Sequence, residues 1–404
     1  MRLGIYGGSF DPPHLGHLRA AVAAAGYLEL DELLMIPTGV PPHKEFPEDV
    51  PSAEQRAAMT ALMAEEAELL SGVPVRVSRM EIERAGKSYT ADTVRALRGE
   101  RPGAELWLLM GTDMFLTFQD WREPEEILSR AGICAFGRSA KDTGDLLIAQ
   151  RDDLTRRFPR SRIATMLLPN LVEVSSTQLR RTLPDGGGGE YLTPQVYGYI
   201  LREHLYGTKL DLKRLTPDQL RPVALSYLKA KRVRHVLGVE KEAVRLAREY
   251  GADVEKARFA ALLHDCTKRL SPEEHYALCG EYGVALDEVE RAAPKLLHAK
   301  TGAAIARAVF GADGGVYDAI LYHTTGRANM TVLEKVIYLA DYIEPNRSFD
   351  GVDVLRAAVY EDIDRGLELG LRMSIEEIEE RGGPVHRNTR EAHEFMVKAR
   401  IQGG

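Results

Sequence analysis

Two histidines near the N-terminus stand where a chain could handle phosphate groups. His14 and His17 follow a glycine-containing loop that comes after a short apolar stretch, and a helical pattern begins close to them. Glycines allow the backbone to approach a phosphate closely, and a helix N-terminus favours anions. Residues three apart on a helical turn share a face, so both imidazoles can donate to phosphate oxygens and stabilise charge that develops during in-line displacement.

A second set of ionisable side chains is spaced along the C-terminal half, on predicted helices. The set consists of His235, His264, Asp265, His298, His323 and Asp341. Imidazole and carboxylate together suit a first-row transition metal and can leave coordination positions for water. The adjacent pair His264 and Asp265 follows an apolar run, where an ionisable pair is costly to bury unless something coordinates it. These residues therefore predict a metal-dependent phosphohydrolase.

The first half of the chain must place His14 and His17 on a scaffold that contains a sheet. Short apolar runs alternate there with helical patterns, such as residues 18–30 and 53–70. The predicted strands are residues 3–6, 33–36, 75–77, 106–110, 133–136 and 164–168. Strand–helix alternation predicts an α/β domain with a parallel sheet and helices on both faces.

The second half has a helical periodicity and predicts an all-α domain. Helical patterns occur at residues 243–250, 255–264, 333–342 and 354–371, with almost no β-rich run after residue 206. With 404 residues, the chain is long enough for two or three domains. We expect a first domain over residues 1–206, a linker over 207–217 and a second domain over 218–404.

The composition of the chain argues against some classes of binding partner. The formal net charge of −7 argues against a nucleic-acid polymer, although small phosphorylated ligands need only a local positive site. Three cysteines are too few for a disulfide framework. The N-terminus does not have the pattern of a signal peptide, and no apolar run reaches the length of a membrane span. We therefore expect a cytoplasmic protein without a membrane partner.

Residues 7–18 resemble the HxGH signature of the nucleotidylyltransferase superfamily, with His14, Gly16 and His17 at its fixed positions. The resemblance implies a Rossmann-like sheet that binds a nucleoside triphosphate. It also implies direct attack on ATP that carries Mg²⁺ on its phosphates, with release of pyrophosphate and no covalent enzyme intermediate.

Three further segments are similar to nicotinate-mononucleotide adenylyltransferases. They are residues 88–93, 110–122 and 174–180. The resemblance implies ATP and nicotinate mononucleotide as substrates, with Asp113 at the adenosine and Trp121 stacked on the nicotinate ring. Phosphopantetheine or a choline-like phosphate is the alternative second substrate.

The resemblance also names the residues of this first site. The implied catalytic residues are His14, His17, Lys44 and Arg180. The residues implied to bind ATP or the second substrate are Gly7, Gly8, Ser9, Phe10, Asp11, Thr90, Gly111, Asp113, Trp121, Arg138, Ser176 and Thr177.

The order of histidines and aspartates in the second half resembles HD-domain metal phosphohydrolases that hold two metals, and more closely the YqeK-like group. Residues 262–268, 322–326 and 339–347 carry the resemblance. It implies one metal on His235, His264, Asp265 and Asp341. Asp265 would bridge to a second metal on His298 and His323. Iron is the implied metal, with manganese or another divalent ion as the alternative.

The same resemblance implies a reaction for the C-terminal domain, the symmetrical cleavage of diadenosine tetraphosphate, a dinucleoside polyphosphate, to ADP. A water that bridges two metals becomes a usable nucleophile near neutral pH. Lys268, as a candidate catalytic cation, and Arg347 would contact phosphates, although either could be a surface charge. Thr324 would position a phosphate or cap a helix.

Other interpretations stay open at this point. The second domain could be a non-catalytic nucleotide sensor, a deoxynucleotide triphosphohydrolase or a cyclic-nucleotide phosphodiesterase. The sequence also leaves open a homodimer and the strength of any preference for nicotinate over its amide. The histidines without a comparable context are expected to be surface or packing residues: His43, His204, His275, His386 and His393.

Overall fold

The apolar runs of the first half form a parallel sheet, and the helical patterns of the second half form a separate helical unit. The division between the two units lies between Lys209 and Leu210. The computed structural model describes residues 1–41, 50–137, 144–168, 172 and 174–403. The predicted linker, residues 207–217, spans this division.

Within the described residues, six strands of the first unit pair in parallel, in the order β3–β2–β1–β4–β5–β6. The strands are β1 (Arg2–Gly8), β2 (Glu32–Pro37), β3 (Val75–Val77), β4 (Glu105–Gly111), β5 (Ala131–Gly137) and β6 (Ile163–Leu167). Every predicted strand is present, and the prediction of a parallel α/β sheet is confirmed.

The helices of this unit pack on both faces of the sheet. They are α1 (Leu15–Tyr27), α2 (Ala53–Ser71), α3 (Thr90–Glu100), α4 (Thr112–Leu116), α5 (Pro124–Arg130), α6 (Gly144–Arg157), α7 (Ser176–Thr182) and α8 (Pro194–Arg202). Strand residues alternate between two cores: Leu33 and Met35 of β2 join one, and Leu34 and Ile36 join the other. Both faces are apolar and covered, as in other parallel sheets.

The strand order changes direction between β1 and β4, which are neighbours in the middle of the sheet. β1 ends at Gly8 and β4 ends at Gly111, at the same edge because the strands are parallel. In open parallel sheets, ligands bind in the crevice outside the carboxyl ends of the strands at such a point. The loop that follows β1 therefore lies where a ligand is expected.

The second unit consists of helices and their connections, as far as the structure describes it. They are α9 (Pro217–Leu225), α10 (Ala230–Tyr250), α11 (Val254–Leu263), α12 (Pro272–Glu281), α13 (Glu288–Ala292), α14 (Leu297–Ala308), α15 (Gly314–Leu321), α16 (Val332–Ile343), α17 (Val352–Glu361), α18 (Ile363–Glu380) and α19 (Arg387–Gly403). Helix α10 packs against α11 and α16. The all-α prediction is confirmed. Each described helix is too short or too polar to cross a membrane.

The prediction of one helix over residues 354–371 is wrong. Residues 354–371 were expected to form one helix, but α17 ends at Glu361 and α18 begins at Ile363. Between them, Asp362 has an extended backbone with φ −157°, and its carboxylate accepts the backbone N–H of Arg365 at 2.8 Å. An aspartate at this position satisfies an N–H group that the first turn of a helix leaves unpaired, so it starts a new helix.

The three cysteines are expected to be unreactive in the folded protein. All are buried and unpaired, and burial raises the pKa of the Cys134 and Cys266 thiols, each to about 12. Because the thiolate is the reactive form, DTNB at pH 8 should label none of them in buffer and all three in guanidinium. Rapid labelling of any cysteine in the native protein would contradict this burial.

Candidate active site and metal centre

His14 and His17 form the N-terminal cap of α1. The Nδ1 atom of His14 accepts the backbone N–H of Gly16 at 3.1 Å, and Nδ1 of His17 accepts that of His14 at 3.2 Å. A neutral imidazole whose Nδ1 accepts a hydrogen bond carries its proton on Nε2. The ring centroids are 3.8 Å apart. Two Nε2–H donors therefore stand together at a helix N-terminus, where anions are favoured.

A buried carboxylate organises the loop before this cap. Asp11 is 0% exposed, and its Oδ1 accepts the hydroxyl of Tyr206 at 2.8 Å. Arg180 donates to Oδ2 of Asp11 at 3.2 Å and to its carbonyl at 2.6 Å. The hydroxyl of Ser176 donates to the carbonyl of Pro12 at 3.0 Å. Helix α7, which carries Ser176 and Arg180, is thereby fixed to the loop.

The loop itself divides into an accessible part and a buried part. Gly7 is exposed, and Gly8 and Ser9 are partly exposed, whereas Phe10 and Asp11 are fully buried. The accessible part is the one whose backbone can meet a phosphate. The side chains of Phe10 and Asp11 face the protein interior and hold the loop in shape, while ligand binding at these two positions stays a prediction.

Arg56 supports the same loop, and sequence reasoning missed it. Its side chain is 2% exposed and donates to three backbone carbonyls, those of Ser9 at 2.9 Å, Thr38 at 2.7 Å and Gly39 at 3.3 Å. Burial lowers the pKa of Arg56, but an arginine remains charged at neutral pH. A positive charge therefore lies beneath the loop that follows β1. Its signal in the sequence is a basic residue on the apolar face of a predicted helix.

The remaining predicted ligand residues of this unit are spread over several elements. Gly111 ends β4, and Asp113 is exposed on the first turn of α4. Thr90 begins α3, and Thr177 is exposed, with its hydroxyl accepting from Arg180 at 3.1 Å. Trp121 is partly buried against Phe118, with ring centroids 5.3 Å apart. Lys44 and Arg138 lie outside the described residues.

In the second unit, the structure brings the predicted metal-binding residues together around Asp265. Oδ2 of Asp265 lies 3.6 Å from Nε2 of His264 and 3.9 Å from Nε2 of His235. Oδ1 lies 3.3 Å from Nε2 of His298 and 4.0 Å from Nε2 of His323. One carboxylate thus presents a separate oxygen to each of two histidine pairs.

Asp341 completes the first of these groups. Its Oδ1 lies 3.1 Å from Nε2 of His235 and 4.0 Å from Nε2 of His264. The ligand atoms of these three residues lie within 4.8 Å of one another, as do those of His264, Asp265 and His323. These two groups share His264, and Asp265 offers an oxygen to each histidine pair.

The Nδ1 atoms of the four histidines all meet hydrogen-bond acceptors. In three of them the acceptor is the carbonyl three residues earlier. The pairs are His264 with Ala261 at 2.6 Å, His298 with Lys295 at 2.5 Å and His323 with Ile320 at 2.6 Å. In the fourth, Nδ1 of His235 lies 3.1 Å from Oε1 of Glu344. A proton on Nδ1 leaves a lone pair on Nε2, the form of histidine that binds a metal.

Burial sets the charge states that metal binding requires. It lowers the pKa of His264 and of His298, and that of His323 to about 4, so these imidazoles are neutral at pH 7. Burial would raise the pKa of Asp265 and of Asp341, but neighbouring histidines and cations outweigh it and lower both. Neutral imidazoles and ionised carboxylates are the protonation states of metal ligands.

Several buried polar atoms of this centre have no hydrogen-bond partner among the described residues. Nε2 of His264 is one of them. Nε2 of His235 and Oδ1 of Asp265 lie 3.1 Å and 3.3 Å from other ligand atoms of the centre, but not in hydrogen-bonding geometry. In addition, Nε2 of His298 and Nε2 of His323 are 3.1 Å apart. Lone pairs and a carboxylate that face one another are costly to bury unless a cation lies among them. The residues present therefore fit a divalent metal.

Glu344 belongs to the centre and was missed from the sequence. It is 1% exposed, and besides meeting His235 it accepts the backbone N–H of Asn346 at 2.7 Å. A Cβ atom at Gly238 would lie 2.2 Å from Oε2 of Glu344, so only glycine allows this approach. The signal in the sequence is an acidic residue at the end of the apolar helix that carries Asp341.

Basic side chains surround the carboxylates of the centre. Nζ of Lys268 lies 3.6 Å from Oδ1 of Asp265, and Arg232 pairs with the same aspartate. Arg347 donates to Oδ1 of Asp341 at 2.7 Å. Lys268 and Arg347 are thus placed at the centre as expected from the sequence, whereas Arg232 was not singled out.

A basic cleft opens beside the metal-binding residues. Its volume is about 580 Å³, and its lining includes Lys231, Arg232, Arg234 and Arg347. Several cations in one cleft attract a substrate that carries several phosphates. The hydroxyl of Thr324, the other candidate phosphate contact, is buried without a hydrogen-bond partner in the described chain.

A third cluster, of Asp287, Glu290 and His386, differs from the metal centre in its protonation. Nδ1 of His386 accepts the backbone N–H of Asn388 at 3.1 Å, which leaves the proton on Nε2, 3.0 Å from Asp287. Lys300 already pairs with Glu290 at 2.6 Å. The ring of His386 therefore offers no lone pair to a metal in this arrangement, and the cluster joins the start of α19 to α13.

The other histidines outside the two sites differ in burial. His275 is buried, with Nδ1 2.9 Å from the hydroxyl of Thr301. His204 is exposed and His393 is partly exposed, while His43 lies outside the described residues. None of the described ones joins the metal centre, in keeping with the expectation of surface and packing roles.

Glu344→Gln is expected to weaken metal binding by about 10–100-fold, because an amide no longer supports the Nδ1 proton of His235 as a carboxylate does. The apparent Kd for Mn²⁺ would be measured by competition with a chelating indicator. Glu242→Gln is the matched control, since Glu242 is 4% exposed on the same helix as His235. Equal metal affinity in the two variants would show that Glu344 does not support His235.

Two family models match this chain, one within each unit. Residues 5–182 match the family model described as cytidylyltransferase-like, and residues 232–346 match that of the HD domain. The probable nicotinate-nucleotide adenylyltransferase of Methylibium petroleiphilum is 38% identical over 213 residues, 51% of this chain and 92% of that protein. The corresponding protein of Halalkalibacterium halodurans is 36% identical, over 52% of this chain and 94% of that protein.

Among solved structures, a predicted HD superfamily hydrolase involved in NAD metabolism from Clostridium acetobutylicum is 42% identical. The match covers 46% of this chain and 98% of that one, with a TM-score of 0.44. The N-terminal relatives are covered almost completely by the first half of this chain. The chain therefore belongs to the nicotinate-nucleotide adenylyltransferase family, as an enzyme in which a nucleotidyltransferase domain is joined to an HD domain.

Proposed function

We propose that this chain carries two activities, both on adenosine phosphates. The N-terminal unit transfers AMP from MgATP to nicotinate mononucleotide, giving deamido-NAD and pyrophosphate. The C-terminal unit uses divalent metals to hydrolyse dinucleoside polyphosphates, with symmetrical cleavage of diadenosine tetraphosphate to ADP as its reaction. The observation that carries the proposal is that Nδ1 of His14 and of His17 accepts a backbone N–H, whereas Nδ1 of each histidine of the metal centre meets an oxygen acceptor. The Nε2 atoms are therefore inferred to donate in the first unit and to offer lone pairs in the second.

In the transfer step, an oxygen of the 5′-phosphate of nicotinate mononucleotide attacks the α-phosphorus of ATP. The bond between that phosphorus and the β-phosphate oxygen breaks, and pyrophosphate leaves. The attacking phosphate is already ionised, so no general base is needed. The Nε2–H groups of His14 and His17 donate to oxygens that gain charge, and Arg180 and Lys44 add positive charge, so positioning and electrostatics supply the catalysis.

The acceptor is proposed from the relatives and from the placement of two residues. The relatives at 36–38% identity are named for nicotinate nucleotide. Thr90, at the start of α3, and the partly buried Trp121 are proposed to meet the nicotinate ring. Asp113, exposed just after β4, is proposed to meet the adenosine. Arg138 is proposed as a further contact to ATP.

In the hydrolytic step, water supplies an oxygen to one phosphorus, one phosphoanhydride bond breaks, and diadenosine tetraphosphate gives two molecules of ADP. Bound divalent metals, proposed to be two iron ions, would lower the pKa of water and offset charge on the phosphates. Asp265 holds the two histidine pairs together, and Lys268 and Arg347 are proposed to contact the phosphates. The four cations of the adjoining cleft support a polyphosphate as substrate.

His17→Ala is expected to lower kcat for deamido-NAD formation by about 100- to 1,000-fold, as the loss of one donor to the transition state does in other enzymes. Product would be followed by chromatography with ATP, Mg²⁺ and nicotinate mononucleotide. His204→Ala, at an exposed histidine of the same unit, should retain wild-type turnover. Near-normal turnover by a folded His17→Ala variant would refute the role of His17.

Asp265→Ala is expected to abolish hydrolysis of diadenosine tetraphosphate, because it removes the carboxylate shared by both histidine pairs. The protein would be loaded with Fe²⁺ or Mn²⁺, supplied with this substrate without nicotinate mononucleotide, and the products resolved by chromatography. Asp287→Ala is the matched control, since Asp287 pairs with a histidine in the third cluster, not at the metal centre.

Each outcome of this second assay has a distinct meaning. ADP as the product, lost with Asp265→Ala and kept with Asp287→Ala, supports the proposed hydrolase. AMP together with ATP would refute symmetrical cleavage, because a different phosphoanhydride bond would then break. Absence of turnover by the metal-loaded wild-type protein would refute the proposed substrate and favour nucleotide sensing.

A further inference from the structure

The carboxylate of Asp11 joins three parts of the first unit that are distant in sequence. Asp11 lies in the loop after β1, Arg180 lies on α7, and Tyr206 lies only three residues before the end of the unit. Tyr206 donates to Oδ1 at 2.8 Å, and Arg180 donates to Oδ2 at 3.2 Å. Since Asp11 is 0% exposed, bulk solvent cannot replace either donor.

Tyr206 reaches Asp11 from an unusual backbone conformation. Its φ of 55° and ψ of 33° are left-handed, a region that bulky residues seldom occupy. Its side chain is 8% exposed and belongs to the core that also contains Tyr6 and Phe10. Such a conformation persists only where the surrounding structure imposes it, and it is a reason to look for a functional contact. The contact here is the hydrogen bond to the phosphate loop.

The two donors to Asp11 are not equivalent. Burial and the charge of Asp11 raise the pKa of Tyr206, so its hydroxyl keeps its proton and donates at any working pH. Arg180, by contrast, is a cation at the nucleotide site, and any bond that it makes to Asp11 competes with a bond to phosphate. A neutral donor on Oδ1 satisfies part of the hydrogen-bonding capacity of the buried carboxylate, so Asp11 binds Arg180 less strongly than it would alone.

We propose that Tyr206 is a positioning residue for nucleotidyl transfer: its hydroxyl satisfies Asp11 and so leaves Arg180 able to bind the phosphates of ATP. This role rests on the proposed adenylyl transfer by the first unit. Tyr206 touches neither substrate. It acts on the reaction through Asp11, and then through Arg180.

The test compares Tyr206→Phe with Tyr199→Phe in the full chain. Both changes remove one hydroxyl near the end of the first unit, but the Tyr199 ring packs beside Arg202, 4.9 Å from the guanidinium. Tyr206→Phe is expected to lower kcat/KM for ATP by about tenfold, the size of one hydrogen bond to a buried charge. Tyr199→Phe should match the wild type. Thermal midpoints are measured alongside.

A double-mutant cycle separates positioning from general destabilisation. If Tyr206 acts through Arg180, then Arg180→Ala should cost about tenfold less in kcat/KM when Tyr206 is already Phe, because coupled residues are not additive. Additive losses would mean that the hydroxyl only stabilises the fold, and would overturn the proposal. Equal kinetics for Tyr206→Phe and the wild type would overturn it as well.

The remaining outcomes are also decisive. A wild-type protein that makes no deamido-NAD would refute the proposed function itself, before any variant is compared. If Tyr206→Phe does not fold, the comparison is made between Asp11→Asn and the double variant Asp11→Asn/Tyr206→Phe, because Asp11→Asn removes the carboxylate through which Tyr206 acts on Arg180. The two variants should then have equal kcat/KM for ATP. A further loss of about tenfold in the double variant would overturn the proposal.

Discussion

The hydrogen bond at Nδ1 determines what each functional histidine of this chain can do. In the first unit, backbone N–H groups donate to Nδ1 of His14 and His17, so Nε2 keeps a proton and can donate a hydrogen bond to an anion. In the second unit, Nδ1 of His264 donates to a carbonyl and that of His235 to a carboxylate, so Nε2 offers a lone pair to a cation. One type of side chain thus serves two opposite chemistries.

Local secondary structure supplies most of these Nδ1 partners. The first residues of a helix have N–H groups without an intrahelical acceptor, and the histidine cap of α1 uses them. In the second unit, the acceptors are carbonyls three residues earlier, at His264, His298 and His323. The orientation of these rings therefore follows from where each lies relative to its own helical turn. His235 differs, because its partner comes from another helix.

The contrast between local partners and partners from distant parts of the chain explains how much the sequence alone could predict. Strands, most helices and the histidine sets follow from short-range patterns, and the structure brings the six candidate metal ligands together. Arg56, Tyr206 and Glu344 were missed, because each acts on a partner far away in sequence: Tyr206 meets Asp11 across 195 residues, and Glu344 meets His235 across 109. The break at Asp362 was missed because apolar periodicity continues through it.

The hydrogen bond between Tyr206 and Asp11 also limits when the first unit can finish folding during translation. Asp11 leaves the ribosome 195 residues before its partner Tyr206 does. Domains fold as units while the chain grows, the N-terminal one first. Until residue 206 has emerged, the nascent first unit therefore holds a carboxylate that it cannot yet bury with its partner. Nucleotide binding to the phosphate loop should accordingly mature late in translation.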